Sequence, residues 1–399
     1  MPHPSLFLVL AAPYGLVAGF VIVTLAYQLT QRGLGAGSVG EIIALSYLPQ
    51  TWKVLWAPLV DTMSTRKRWY VGGALACAVF GLLLPGMLAN AASLHMAWLG
   101  AMVVVGSIAS STLAMTIESF MGAIVPDAQR GRVAGWFQAG CLGGTGLGGG
   151  LALWLIESAH WSTTAAGAAL AAICLGCCLA LRYLPDPPSP ERRHESVLAH
   201  ARDIGRDLWS LARSRAGALA LLICFLPISS GAASNLWAAV AGDWHAGADT
   251  VALVNGALSG VVSVAGCLVA GWLCDRMDRR VAYCLFGVLQ VAVALAMAWS
   301  ARTTTQFVVW TTLYAFVTGF TYAGFSAVVL EAIGHTAGAT KYNLIASLAN
   351  MPIAWMTLIE GHLNDRWGSR GMLVTEAAIA ATAIVTFVMA ASATRRRAD

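Results

Sequence analysis

Three ionisable residues of this sequence stand inside long apolar stretches, where charge is rare. Lys53, Glu118 and Glu331 each fall within a run of mostly apolar residues. An ionised side chain at the centre of a bilayer costs about 2.5–3.5 kcal/mol on insertion scales, so such groups usually pair with one another or mark the path of an ion or substrate. We therefore expect this trio to bind a proton or a substrate reversibly.

Lys53 and Glu118 are expected at similar depths. Each lies eight residues before a marker of its span end, Asp61 for the lysine and Pro126 for the glutamate, which places both about 12 Å into an apolar helix. Two interpretations stay open: a structural ion pair between them, or a site that a substrate or a proton opens. The position that aligns with Lys53 in the second half is Cys267, and this asymmetry favours function.

Glu331 also has two interpretations. If no basic residue reaches its depth, its carboxyl group is a candidate proton carrier. If it lies near the membrane surface, it pairs with Lys341 or Arg280. Further acidic residues are expected at span ends and mostly solvated, with Glu360 the best candidate among them for facing a cavity; they are Glu41, Glu157, Asp243, Glu360 and Glu376.

Twelve apolar runs must position these residues. Of the 399 residues, 58% are hydrophobic and 11% charged, whereas about 25% are charged in soluble domains. Because about 20 apolar residues cross a bilayer as a helix, we predict an all-α integral membrane protein with twelve transmembrane helices. The predicted spans are 5–29, 38–60, 69–90, 95–125, 132–157, 163–184, 216–242, 249–274, 281–300, 305–333, 341–361 and 371–393.

The distribution of basic residues predicts the orientation. Nineteen Lys and Arg residues lie in one set of alternate connections and termini, and four lie in the other set. Basic loops stay in the cytoplasm, so we expect both termini there and the chain in a bacterial inner membrane. The net charge of +5 follows from the same bias and requires no nucleic-acid partner.

The longest connection divides the chain into two predicted bundles. It begins with prolines, which stop a helix, and apolar residues then recur at three- and four-residue steps over 197–211. This spacing favours an amphipathic helix, either on the membrane surface or solvated. We predict an N-terminal six-helix bundle at 1–184, a cytoplasmic linker at 185–215 and a C-terminal six-helix bundle at 216–399.

The two bundles repeat an acid–base pattern. Asp61 precedes a basic group after the second span, Asp275 precedes another after the eighth, and Glu118 and Glu331 occupy matching places about 210 residues apart. Parallel repeats of this kind occur in transporters that open alternately to the two sides of a membrane. The residues expected to form a cytoplasmic gate are Asp61, Arg66, Arg68, Arg130, Asp275, Arg276, Arg280 and Lys341.

The connection after the eighth span resembles a known signature. Residues 271–280, GWLCDRMDRR, are similar to the pattern G-x3-D-R-x-G-R-R of the major facilitator superfamily, with Asp278 in place of the second glycine. The resemblance implies the major facilitator fold, with two pseudo-symmetric six-helix bundles and transport by alternating access.

A second motif narrows the resemblance. Residues 53–61, KVLWAPLVD, are similar to the signature K-F-L-W-x-P-L-x-D of the peptide–acetyl-CoA transporter branch, which includes muropeptide and siderophore permeases. Residues 126–140 and 338–350 resemble further segments of that branch, although Lys341 stands where glutamine is frequent. The resemblance implies proton symport of a peptidoglycan fragment such as an anhydromuropeptide, or uptake of a siderophore.

Polar and aromatic residues inside the spans are candidates for lining a solute cavity. Rings and amides suit an amphipathic or sugar-like substrate, although each is also compatible with helix packing. Beside Lys53, Glu118 and Glu331, the candidates for binding substrate or proton are Tyr14, Gln138, Asn235, Trp237, Tyr322 and Asn350.

The glycines of the fifth span predict packing. Gly144, Gly146 and Gly149 match G-x-G-x-x-G, but the strand and the acidic residue that a dinucleotide site requires do not accompany them. Gly140, Gly144 and Gly148 instead share one helix face, as close helix contacts in membranes require. We expect no cofactor, and no metal site, because the cysteines lack partners at ligand spacing.

Three functional classes stay open. The first is import of a cell-wall fragment or siderophore, the second is export of a drug or metabolite by the same fold, and the third is a non-transporting membrane sensor. An enzyme is not expected, since no His–Glu metal motif or nucleophile–base pair occurs at readable spacing. The expected partners are a small-molecule substrate, protons and the lipid bilayer, and the chain is expected to act as a monomer.

Overall fold

The fold is described from a computed structural model of the chain. The description covers residues 3, 5–56, 65–91, 93–125, 130–185, 202, 205–206, 209, 213, 215–228, 230–333 and 345–396. Every regular element among these residues is helical. Of the amphipathic helix predicted at 197–211, only residues 202, 205, 206 and 209 are described, and all four are helical.

Six helices come before the linker. The first, α1, is Leu6–Gln31 and contains a π-helical stretch at Phe20–Leu25. The next five are α2, Ala36–Trp52; α3, Arg66–Asn90; α4, Met96–Ile124; α5, which begins with Arg130–Gly146 and continues through Leu147–Leu151 and Ala152–Glu157; and α6, Thr163–Tyr183.

Six further helices come after the linker. The first, α7, begins with Arg215–Phe225 and resumes after a break as Ala232–Leu236, Trp237–Val240 and Ala241–Trp244. Then follow α8, Ala248–Cys274; α9, Arg279–Trp299; and α10, Thr304–Ile333. The last run, Asn350–Arg396, is interrupted at Gly368, where φ is 66°, and we call its two parts α11 and α12.

The lengths of these helices agree with membrane spans. Nine runs among the described residues are long and apolar enough to cross a membrane. The last of them, Ile345–Ser392, has 48 residues, about 70 Å of helix, more than twice the thickness of the hydrocarbon core, so it holds two spans, α11 and α12. The shorter α2 and the broken α7 correspond to the remaining predicted spans, and the all-α membrane fold class is confirmed.

The chain forms two compact units. Unit 1 consists of Met1–Gly33, Leu55–Val197 and Gly247–Gly260, and unit 2 of Leu34–Val54, Leu198–Ala246 and Val261–Asp399. Helix α2 therefore belongs to unit 2, and the first half of α8 belongs to unit 1. The predicted bundles at 1–184 and 216–399 follow chain order instead of contact, and their boundaries stay a prediction.

In unit 1, α1 and α5 approach each other backbone to backbone. A Cβ atom added to Gly140, Gly144 or Gly148 of α5 would lie only 2.1–2.2 Å from a carbonyl oxygen of α1. Gly15 and Gly19 of α1 stand in the same relation to α5, at 2.0 Å. We call these five residues the glycine seam. The predicted packing face of α5 is confirmed, since any larger residue would force the two backbones apart.

Helix α7 is not the continuous span predicted at 216–242. Its first part ends at Phe225, and Pro227 has no N–H group with which to continue the helical hydrogen bonds. Gly231 then takes a left-handed φ of 66°, which glycine adopts readily. The break was not predicted, because an apolar run shows where a chain can cross a membrane, but not whether its backbone stays helical. The proline and the glycine were the available signals.

Two acidic side chains cap helices. Oδ1 of Asp278 accepts the N–H groups of Arg280 and Val281 at 3.0 and 3.1 Å, at the start of α9. The residue that departs from the family signature therefore supports a helix start. Oδ2 of Asp365 in α11 accepts the N–H of Gly37 at the start of α2, at 2.9 Å. Negative charge at a helix N-terminus stabilises the helix.

Candidate functional site

Two glutamates lie in the interior of unit 2. Glu360 of α11 is 0% exposed and Glu376 of α12 is 4% exposed. The expectation of a solvated span end was wrong for Glu376, because neighbouring helices cover it. Glu360, the residue of that set expected to face a cavity, is also buried, and both lie within the helical run Asn350–Arg396. Burying a carboxyl group is costly unless partners compensate, so the surroundings of this pair decide what it can do.

Side chains of two further helices and a backbone group of α7 meet at these carboxyl groups. The hydroxyl group of Tyr314 in α10 donates a hydrogen bond to Oε1 of Glu376. The backbone N–H of Ala233, just after the break in α7, also points to Glu376. Gln290 of α9 lies beside Tyr314. We call Glu360, Glu376, Tyr314 and Gln290 the core cluster.

Several acceptor atoms of the core cluster have no hydrogen-bond partner among the described residues. They are both carboxyl oxygens of Glu360, Oε2 of Glu376 and Oε1 of Gln290. No basic residue in the described part of the chain forms an ion pair with either glutamate. Since native proteins satisfy almost all buried polar atoms, the cluster has the composition of a site for a small donor or cation.

A small cavity adjoins Glu376. Its walls include Pro227 and Ser230 at the break in α7, Gln290 of α9 and Glu376 of α12. Its volume is about 10 Å³, close to the least that one water molecule needs. Non-helical backbone is tolerated at membrane depth where it lines a cavity or is buried in protein, and the break in α7 meets this condition.

Asn235 and Trp237, both predicted to line a cavity, are buried near the core cluster. Oδ1 of Asn235 accepts the hydroxyl group of Tyr47 from α2 at 3.1 Å, and its Nδ2 donates to Oγ1 of Thr357 in α11 at 2.9 Å. Trp237 stands edge-on to Tyr314, with 5.2 Å between the ring centroids. In this structure the two residues join α7 to α2, α10 and α11.

The predicted charged trio is distributed over both units. Lys53 is half-buried directly after α2, in the short helix Lys53–Leu55. It belongs to unit 2. Glu118 is half-buried in α4, in unit 1. Glu331 lies in the last turn of α10, and its side chain is outside the described part of the structure. The pairing of Lys53 with Glu118 and the proton-carrying role of Glu331 stay predictions.

The other predicted lining residues differ in exposure. Tyr14 of α1 and Asn350 at the start of α11 are half-buried, whereas Gln138 of α5 is exposed and Tyr322 of α10 is 52% exposed. The amide of Asn350 donates to the carbonyl oxygen of Ser347 at 3.1 Å, within its own chain segment. Substrate-binding roles for these four residues stay predictions.

The predicted gate is described in part. Nε of Arg66 at the start of α3 donates to Oγ of Ser119 in α4 at 2.7 Å. The guanidinium group of Arg276 lies 3.9 Å from the ring centroid of Trp272. Among the other candidates, Arg68 and Asp275 are exposed, Arg280 is half-buried, and Asp61, Lys341 and the side chain of Arg130 lie outside the described residues.

A third group of charges lies where α2 begins. Nε2 of His362 in α11 is 3.4 Å from Oε1 of Glu41 in α2, and both side chains are about half exposed. Asp365, which caps α2, lies one turn further along α11. We call Glu41, His362 and Asp365 the rim cluster. Among the described residues, no group of three or more His, Cys, Asp or Glu side chains is placed to hold a metal ion.

Proteins with curated names include two transport proteins that match this chain. Over 315 residues the chain is 25% identical to the Anhydromuropeptide permease of Escherichia coli (strain K12), and equally to that of Escherichia coli O157:H7. Each match covers 73% of this chain and 59% of the relative. The chain therefore spans about three fifths of the length of these relatives.

Solved structures share the fold along nearly the whole chain. A mutant of the nucleoside transporter NupG superposes with a TM-score of 0.75 at 13% identity, covering 97% of this chain and 98% of that chain. The xylose transporter XylE from E. coli, in an inward open conformation, gives 0.66 at 12% identity, covering 96% and 95%. The model of the family described as Major Facilitator Superfamily matches residues 6–351 of this chain. This chain belongs to the Major Facilitator Superfamily and is a multi-pass membrane protein.

Proposed function

We propose that this chain imports a large polar solute, such as an anhydromuropeptide, by proton symport. The observation behind this proposal is the 25% identity over 315 residues to a permease of that name. The segment 53–61, KVLWAPLVD, supports it, because it resembles the signature of the same transporter branch. The chain would lie in a bacterial inner membrane with both termini in the cytoplasm, as its basic connections favour.

Transport proceeds by alternating access in this proposal. Two six-helix bundles, 1–184 and 216–399, rock about a central substrate site near the middle of the membrane. In the outward-open state, acidic and basic residues at the cytoplasmic connections hold the cytoplasmic side closed. The repeated pattern of Asp61 and Asp275, each followed by a basic group, supports such a gate.

The charged residues of the spans bind the substrate or the proton. An anhydromuropeptide carries carboxylate groups, for which Lys53 is a suitable partner, because an ammonium group forms charge-assisted hydrogen bonds with them. Glu118 and Glu331 bind a proton or a cationic group. Sugar rings and peptide amides contact the aromatic and amide side chains that line the path, for which Tyr14, Gln138, Asn235, Trp237, Tyr322 and Asn350 are the candidates.

Uptake into proteoliposomes tests this function. Labelled anhydromuropeptide outside the vesicles should accumulate inside when the outside is more acidic, and a protonophore should stop the accumulation. A labelled ferric siderophore that accumulates instead would favour the related siderophore permeases. Efflux of a drug-like probe from loaded vesicles would favour an exporter. No flux of any of these solutes would favour a sensor and contradict the proposal.

A pair of variants tests the role of Lys53. Lys53→Gln should abolish uptake of anhydromuropeptide, because the amide removes the positive charge. Arg202→Gln, which neutralises an exposed basic residue of the linker, should leave uptake at the wild-type rate. Equal uptake by the two variants would show that Lys53 does not bind the substrate.

A further inference from the structure

The core cluster contains two acidic groups and no base. Among the described residues, the polar groups beside Glu360 and Glu376 are the Tyr314 and Ser230 hydroxyls, the Gln290 amide and the backbone N–H of Ala233. Each of these offers a dipole and none offers a positive charge. Two carboxylates in such an interior repel each other strongly, because the local dielectric constant is low and neither charge has a counter-ion. At least one proton must therefore be bound for the cluster to be stable.

The unpaired hydrogen-bond acceptors of the cluster also indicate a bound proton. Both oxygens of Glu360, Oε2 of Glu376 and Oε1 of Gln290 have no partner in the described part of the chain, and all four are acceptors. A carboxylate only accepts hydrogen bonds, whereas a protonated carboxyl group also donates one. A proton on either glutamate therefore supplies the donor that this group of atoms lacks.

The break in α7 leaves space for water beside this site. Pro227 and Ser230 at the break share the walls of the small cavity with Glu376 and Gln290. A cavity of this size holds about one water molecule, provided that polar groups surround it, as the glutamate and the glutamine do. Interrupted helices line the ion sites of several transporter folds. A water in this cavity can pass a proton to or from Glu376.

From this geometry we propose that Glu360 and Glu376 together form the binding site of the coupling proton, with Tyr314 and Gln290 as positioning residues and the cavity beside α7 as the proton's path. This inference rests on the proposed proton symport. It assigns the coupling proton to this pair and leaves Lys53, Glu118 and Glu331 to the substrate.

The position of the pair explains how proton binding can act on the protein. The core cluster joins α9, α10, α11 and α12, and the break in α7 lies against it. Release of the proton leaves a charge among these helices, and the unit lowers its energy by admitting water or a donor to the site. The protonated and deprotonated states therefore favour different helix arrangements, which is what coupling requires.

Infrared difference spectroscopy on the purified full chain tests the site without any substrate. Spectra recorded between mildly acidic and alkaline pH, above the range in which exposed carboxyl groups titrate, should contain the carbonyl band of a protonated carboxyl group that loses its proton. The band should be smaller in Glu376→Gln and in Glu360→Gln, and absent in the double variant. Glu41→Gln, which changes an exposed carboxyl group of α2, serves as the matched control and should leave the band unchanged.

Two infrared results would overturn the assignment. A band of full size in the double variant would place the titrating group elsewhere. A band that sodium chloride removes, while choline chloride leaves it intact, would identify the occupant as a sodium ion instead of a proton.

A transport measurement separates this inference from the proposed function. With the membrane potential set to zero and a gradient of one pH unit, symport of one proton accumulates a solute up to about tenfold. Glu376→Gln should lower the accumulation of anhydromuropeptide to onefold but keep the exchange of labelled for unlabelled solute, and Glu376→Asp should remain coupled. Tenfold accumulation by Glu376→Gln would overturn the inference. If the wild type moves no muropeptide, the proposed function fails, and the infrared result still decides where the proton binds.

Discussion

The interiors of the two units contain different kinds of polar group. In unit 1, the buried polar side chains among the described residues are serines and threonines. Thr24 of α1, for example, donates to the carbonyl oxygens of Gly148 and Gly149 in α5 at 3.0 Å. In unit 2 they also include amide and carboxyl groups, those of Asn235, Gln290, Glu360 and Glu376.

The glycine seam and the core cluster show what this difference means. In the seam, backbone meets backbone and a single hydroxyl group satisfies two carbonyl oxygens. In the core cluster, four acceptor atoms lack a donor. Both regions lie in helices of similar apolar composition. Hydropathy therefore does not distinguish a packing contact from a chemical site inside a membrane protein, whereas an account of hydrogen bonds does.

The largest effect should come from breaking the seam. A Cβ atom at Gly144 would lie 2.2 Å from the carbonyl oxygen of Ala12, so Gly144→Ala must separate α1 from α5 and should cost about 3 kcal/mol of stability. Thermal unfolding in detergent measures the loss. The control is Gly143→Ala, where no atom lies within 4 Å of the added Cβ. The prediction would be refuted if the unfolding midpoint fell in Gly143→Ala, or if it did not fall in Gly144→Ala.

A smaller loss of stability should follow from removing a polar contact in the interior of unit 2. Asn235→Ala removes the hydrogen bonds that this amide makes with the hydroxyl groups of Tyr47 and Thr357, which should cost about 2 kcal/mol. Asn350→Ala is the matched control, since the hydrogen bonds of that amide to described residues go to carbonyl groups of its own segment. The unfolding midpoint should fall in the first variant and stay unchanged in the second. Equal midpoints would mean that Asn235 does not join the helices.

The core cluster should respond to substitution with the opposite sign. Glu360→Gln keeps the shape of the side chain, removes an ionisable group without a counter-ion and adds an N–H donor, so the variant should be about 1 kcal/mol more stable at pH 8. Gln290→Glu makes the reverse change in the same cluster and should be less stable than the wild type. A loss of stability in Glu360→Gln would mean that its carboxyl group has a stabilising partner.

The rim cluster provides the smallest effect and completes the comparison. Asp365→Asn removes negative charge from the N-terminus of α2 and should cost about 0.5 kcal/mol, because exposed helix-dipole interactions are weak. Arg366→Gln, at the next and exposed position, should leave the unfolding midpoint unchanged. Removing an acidic charge thus destabilises at the rim and stabilises in the core. The same sign at both places would contradict the proposed roles.

Local periodicity was sufficient to predict the α5 side of the seam, but not Gly15, Gly19 or the partner helix α1. Glycines at every fourth position share one helix face whatever the rest of the fold does. The fold class was predictable for a similar reason, since the number and length of apolar runs determine how a chain can cross a membrane. Asn235 and Trp237 were identified by residue type, but the helices that they join were not.

The core cluster was not predictable from span positions. Glu360 and Glu376 were placed at span ends because depth was counted from the ends of apolar runs. Their burial depends on α7, α9 and α10, which are distant in sequence and whose packing no local pattern records. One signal was present: Thr357 and Glu360 are three residues apart and share a face of α11, which marks a polar stripe on a helix of an apolar segment.

The contact between α1 and α5 also has a mechanical consequence. Helices that change position within a protein usually slide on an intervening layer of side chains, and the glycine seam contains no such layer. Any sliding of α1 along α5 would drive carbonyl oxygens into Cα atoms. The two helices should therefore keep their relative position in any rearrangement of unit 1.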